Sequence, residues 1–162
     1  MTLQPQEQKD LNETSQIEGT SVLEDLFLIG YVKSKKIKVY QDDKFSIEVT
    51  FRTLTPIEWR DTFEISDKFY NADSRSINLK LEILSRAICT INDSPLSLDL
   101  TDKEMFKAKY DREPDPLDQA RYIIREKVRS LSLIDLIFEA YQKFDDEIKN
   151  NFEDIKKKLN NP

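Results

Sequence analysis

The chain contains no histidine, one cysteine and two glycines. Without histidine there is no Ser-His-Asp or Cys-His catalytic arrangement and no imidazole metal ligand, and a single thiol cannot build a thiolate zinc site. Gly19 and Gly30 alone cannot supply the close backbone approach that Walker-type phosphate loops and dinucleotide fingerprints require. No uninterrupted apolar run reaches membrane-spanning length. The first residues also lack the basic start, apolar stretch and small-residue cleavage site of a secretion signal. These absences point to a protein that stays in the cytoplasm where it is made, uses no cofactor and is not an enzyme. Paired carboxylates or lysine can catalyse without histidine, but no constellation of residues here suggests it.

What is present is charge: 25 basic against 31 acidic residues in 162, a formal net charge of -6. An acidic chain lacks the basic face that a sequence-independent grip on nucleic acid needs. At this length a single domain with a real core is expected without disulfide support. With 35% of residues charged, the composition points to much solvated helix or to some disorder. Cys89, amid Ala87, Ile88 and Ile91, reads as a buried, reduced thiol.

Residues 1–20 hold few aliphatic side chains and read as an arm that is disordered or is ordered by a partner. Ser21 to Glu24 has capping-box spacing before an apolar stretch and Gly30, which suits a short helix or a first strand. From Phe45 the pattern alternates, with Phe45, Ile47, Val49 and Phe51 on one side and Ser46, Glu48, Thr50 and Arg52 on the other. This predicts a half-buried strand paired in an antiparallel hairpin with Tyr31 to Tyr40, through the polar turn at 41–44. Two strands alone are marginal in water, so their apolar face must lie on helices or on another subunit.

Thr55, Pro56 and Glu58 predict a capped helix running to about Tyr70, with Trp59, Phe63, Ile65 and Phe69 forming a wide aromatic face. Trp59 reads as a core residue, with an interface anchor as the alternative. A second helix is expected from about Ser74 to Ile91, with Ile77, Leu81, Leu84 and Ile88 in the core and Asn92 to Pro95 closing it. Between Pro95 and Pro116 the spacing suggests an excursion with one short helix capped by Thr101. Leu117, Ala120, Ile124, Val128 and Leu131 make a further helical stripe, and Ser132 with Asp135 suggests the start of a final helix. The fold class is therefore α+β and mostly α, an N-terminal antiparallel hairpin packed on a helical bundle with a long C-terminal helix. A single globular domain would occupy 21–144, and 145–162 would extend that last helix.

Beyond Phe144 the stripe of the last helix narrows to one apolar residue per turn. Phe144, Ile148, Phe152, Ile155 and Leu159 form a seam suited to a partner or a sister copy, a homo-oligomer being one option, with a solvated helix end as the alternative. Lys33, Lys35, Lys36 and Lys38 form one basic cluster. On an edge strand such lysines guard against stray sheet pairing; they could also meet an acidic protein surface or nucleic acid, aided by Tyr31 and Tyr40. Asp42 with Asp43, and Asp145 with Asp146, read as turn and helix-surface residues, since calcium needs six to eight oxygens in a shaped loop. Asp111, Glu113, Asp115 and Asp118 read as an exposed loop neutralised by Arg112 and Arg121.

Three passages, VTFRTLTPIEW at 49–59, LKLEILSRAICTIND at 79–93 and REKVRSLSLIDLIFEAYQKF at 125–144, resemble in their order the tail assembly chaperones and baseplate-hub assembly proteins of tailed bacteriophages. The resemblance implies a non-enzymatic protein that binds tail components, such as the tape measure or the hub, during assembly in the host cytoplasm. A structural component retained in the virion is the alternative, and a nucleic-acid-associated regulator a more distant one. The arm, the excursion at 95–116 and the long last helix depart from the simpler family pattern.

Overall fold

The structure, a computed structural model, describes residues 34–160, apart from the side chain of Leu159, and all of them belong to one compact unit. The readings for the arm at 1–20, the capped segment at 21–30, Tyr31 and Lys33 lie outside the described residues. Among the described residues the architecture is α+β and mostly α, with an antiparallel sheet and five helices, the last of them a long C-terminal helix.

Strands β1 (Ser34–Gln41) and β2 (Ser46–Arg52) form the expected antiparallel hairpin. Its turn is held by Asp42, whose carboxylate accepts from the backbone N–H groups of Lys44 at 2.7 Å and Phe45 at 2.8 Å. Those bonds hold the Asp42 carboxyl below its ordinary range. The alternation places Val49 and Phe51 in the core, while Phe45 at the turn is exposed.

Among the described residues the sheet has four strands rather than two, in the order β1-β2-β3-β4. Helix α2 (Ala72–Ala87) ends four residues earlier than expected, and Ile88–Ile91 form β3, antiparallel to β2. The reason is local. Ile88, Thr90 and Ile91 are β-branched and fit a pleated, half-buried surface better than a helix. Asn92 and Asp93, both with positive φ (49° and 62°), then make the two-residue connection to β4 (Ser94–Pro95). Two such residues in succession are what a hairpin loop needs to match strand twist. The passage at 79–93 is thus a helix-to-strand switch, not one helix.

Helix α1 (Pro56–Ser66) starts on the Thr55–Glu58 capping box as expected. Its buried face differs. Thr62 and Ser66 are fully buried, while Phe63 and Ile57 are exposed; Trp59, partly buried, packs against the core with Phe63 stacked on it at 5.8 Å. Both hydroxyls donate to carbonyls of their own helix, Thr62 to Glu58 at 2.7 Å and Ser66 to Phe63 at 2.9 Å. Small side chains satisfied in this way let α1 lie close on α2.

Helix α3 (Leu100–Tyr110) is capped by Asp99 rather than Thr101. Helix α4 (Pro116–Tyr122), with an Asp115–Asp118 capping box, runs into a π-helical turn at Ile123–Lys127. The stripe from Leu117 therefore ends before Leu131, which is exposed. Helix α5 (Leu131–Asn160) starts at Ser130, whose Oγ accepts from the Leu133 N–H, two residues before the expected Ser132. The core lies between the sheet, α2, α4 and the first half of α5, with Val49, Phe51, Leu84, Ile124, Ile137, Tyr141 and Phe144 each almost wholly buried.

Candidate functional site

The first half of α5 lies across β1 and β2, so its apolar stripe is part of the core. Phe144, read from sequence as a contact residue, is only 1% exposed and packs with its ring 6.3 Å from those of Phe51 and Tyr141. It is a core residue because α5 has not yet left the sheet at this turn. Ile148 is half-buried and is the last residue of α5 packed on the core. Past it the helix continues from Lys149 to Asn160, about 18 Å at 1.5 Å per residue. Phe152 on this extension is 44% exposed and Ile155 is partly exposed. The side chain of Leu159 lies outside what is described.

The lysines of β1 are placed apart rather than as one patch. Lys35 shares the face of Ile37 and Val39 and donates to Glu147 on α5 at 2.7 Å. Lys36, on the opposite face, bonds Asp93 at 2.7 Å and lies 3.3 Å from Glu48. Lys38 donates to Gln41 at 2.9 Å. Two of the three thus have carboxylate partners, which weakens any attraction for phosphate. Between β1 and α5 lies a groove of about 390 Å³, lined by Ile37, Val39, Leu136, Ala140 and Lys143 among others.

A second constellation was not foreseen. Glu82 on α2 is 2% exposed and receives Arg121 Nε at 3.1 Å from each oxygen, Arg121 Nη2 at 2.9 Å and Arg125 Nη2 at 2.8 Å. Arg125 also donates to Asn78 at 2.7 Å. Burial pushes the Glu82 carboxyl up, but the bonds from Arg121 and Arg125 outweigh it and the net shift is downward. Arg121 therefore serves Glu82 rather than the acidic loop; Arg112 is bound to Asp118 there, and Lys107 to Glu113 at 2.6 Å. The spacings Glu82 to Arg86 and Arg121 to Arg125 each place both residues on one helix face, a signal available in the sequence. That the two faces oppose one another was not.

Beside this cluster is a pocket of about 350 Å³. Its polar lining includes Arg52, Glu58, Ser85, Arg86 and Cys89. Arg52 is occupied by Glu58, with Nη1 at 2.9 Å and Nη2 at 2.5 Å from the two carboxylate oxygens. That pairing lowers the Glu58 carboxyl from 4.5 to about 2. Burial raises the Cys89 thiol, against a smaller opposing effect of Arg52, so Cys89 is neutral and is a weak nucleophile at neutral pH.

The chain matches no protein-family model, no curated protein and no solved structure. Among the described residues no group of three or more cysteine or acidic side chains could hold a metal ion. Asp42 serves its turn and Asp145 pairs with Lys149 at 2.5 Å on α5. No helix among the described residues is long and apolar enough to cross a membrane.

Proposed function

We propose that the chain is a protein-binding factor in the assembly of a tailed-phage tail or baseplate, and that the end of α5 is its contact surface. The observation that carries the binding reading is the continuation of α5 past Ile148 with Phe152 and Ile155 still on it. An isolated helix of that length is marginal in water unless an apolar face is covered. A partner groove that takes apolar residues one turn apart would cover this one. The phage setting rests on the sequence resemblance of the passages at 49–59, 79–93 and 125–144. The tape measure and the hub are the candidate partners, and the host cytoplasm is the place of encounter.

The test is co-purification of the tagged chain with tape-measure and hub proteins from phage-infected cells. Phe152→Asp combined with Ile155→Asp is expected to reduce recovery of those proteins by about tenfold or more. Far-UV circular dichroism and the melting temperature of the core should stay close to the parent. Unchanged recovery would remove the end of α5 from the interface. Mass spectrometry of purified virions is expected to find the chain absent; presence at a fixed ratio to a major tail protein would make it a structural component instead.

A further inference from the structure

The pocket beside Glu82 contains a cation for which the described residues provide no hydrogen bond. Arg86 lines it, and its side chain is only 9% exposed. Its Nε is fully buried and unbonded, 3.9 Å from Glu82 Oε2, within ion-pair reach but beyond a hydrogen bond. Glu82 has little left to give. A carboxylate offers about four lone-pair sites, and Arg121 and Arg125 already make four contacts with it. Arg86 is thus a third guanidinium on a carboxylate filled by two others. Of the charged side chains that line the pocket, Arg52 and Arg86 face one glutamate, Glu58, an excess of one positive charge in a chain of net charge -6.

We propose that this pocket binds a carboxylate group carried on a short apolar chain, with Arg86 as the anchoring residue. A guanidinium presents parallel N–H groups that match the two oxygens of a planar carboxylate. The remaining wall, with Ile88, Leu96 and Leu117, suits an apolar chain. Phosphate fits less well. It needs several donors converging on one centre, and the Ser85 hydroxyl already donates to the Leu81 carbonyl at 2.7 Å while Arg52 is held by Glu58. The carboxylate can belong to a free organic acid or to the C-terminus of a polypeptide, and the site offers the same chemistry to both.

The test is calorimetric titration of the full chain with hexanoate, N-acetyl-leucine, N-acetyl-leucinamide and inorganic phosphate. Saturable binding of one or both carboxylates at millimolar concentration is expected, with none by the amide. Tighter binding of hexanoate identifies a free acid as the natural class, and tighter binding of N-acetyl-leucine a polypeptide C-terminus. Arg86→Met should weaken the carboxylate by about tenfold or more. Cys89 is the sole cysteine and lines the same pocket, so it gives a readout that does not depend on a folded variant. In the unmodified chain, a bound carboxylate should slow iodoacetamide alkylation of Cys89 several-fold, and the amide should not. Absence of both saturation and protection, an unaltered affinity in a folded Arg86→Met, or tighter binding of phosphate than of either carboxylate would overturn the proposal.

Discussion

Two buried polar side chains on facing helices illustrate opposite solutions at the scale of the residue. Glu82 has its charge compensated several times over, whereas the Tyr141 hydroxyl is buried with no hydrogen-bond partner among the described residues. Removing charge from the first leaves three guanidiniums around a neutral group. Glu82→Gln is therefore expected to destabilise the chain by about 3–5 kcal/mol, the loss typical of breaking one side of a buried ion pair, measured by urea unfolding. Removing the second group should do the reverse. Tyr141→Phe keeps the ring against Phe51 and Phe144 and discards an unpaired hydroxyl, so a gain of roughly 1 kcal/mol is expected by the same measurement. A loss of similar size would mean that the hydroxyl has a partner outside the described residues.

At the scale of the element, the β3–β4 connection does more than reverse the chain. Asn92 Oδ1 accepts from the Glu48 N–H at 2.8 Å, its Nδ2 donates to the Ser46 carbonyl at 3.2 Å, and its own N–H donates to the Glu48 carbonyl at 2.8 Å. The side chain thus continues the ladder of β2 past the end of β3. Asn92→Ala loses both side-chain bonds and places a Cβ residue without polar compensation at positive φ, for an expected loss of about 2–3 kcal/mol. Asn92→Gly relieves the backbone and loses only the bonds, so it should fall between the two in thermal unfolding. This loop also shows what the sequence made legible. The first hairpin, the Thr55–Glu58 cap and the last helix could be read because each depends on period and spacing within a few residues. The second hairpin was missed because Leu81, Leu84 and Ile88 carry a helical period straight into a β-branched strand, and Asn92-Asp93 serves equally as a helix end. The face of α1 was misjudged for another reason. A count of apolar side chains favours Phe63 along with Trp59, of which only Trp59 packs against the core, and gives no weight to Thr62 and Ser66, which bury themselves by bonding their own helix. The Glu82 cluster and its pocket need two helices brought face to face, which no local pattern encodes.

For the whole molecule the composition itself sets the response to pH. With no histidine, no side chain has an ordinary titration between pH 5 and 8, so stability should form a plateau there. The acid side is set by carboxylates held below their ordinary values by folding. Glu58, lowered from 4.5 to about 2 chiefly by Arg52, binds fewer protons folded than unfolded between those limits. Its contribution is complete above about pH 4.5 and is lost as pH falls through about 2. The pair is about three-quarters buried by side-chain exposure, so solvent still screens it, and the contribution is on the order of 1–2 kcal/mol. Glu82 and Asp118, both lowered, add to the same limb. The alkaline side has the opposite sign. Cys89 and Tyr141 are raised mainly by burial, so their unfolded forms ionise first. Stability should then decline once pH passes the ordinary cysteine and tyrosine values of 9.0 and 10.0. Urea midpoints measured from pH 2 to 11 should trace this flat-topped profile, and Arg52→Met should flatten its acid limb while leaving the alkaline one in place. A slope through pH 6 to 7 would instead require a titrating group with a pKa moved into that interval.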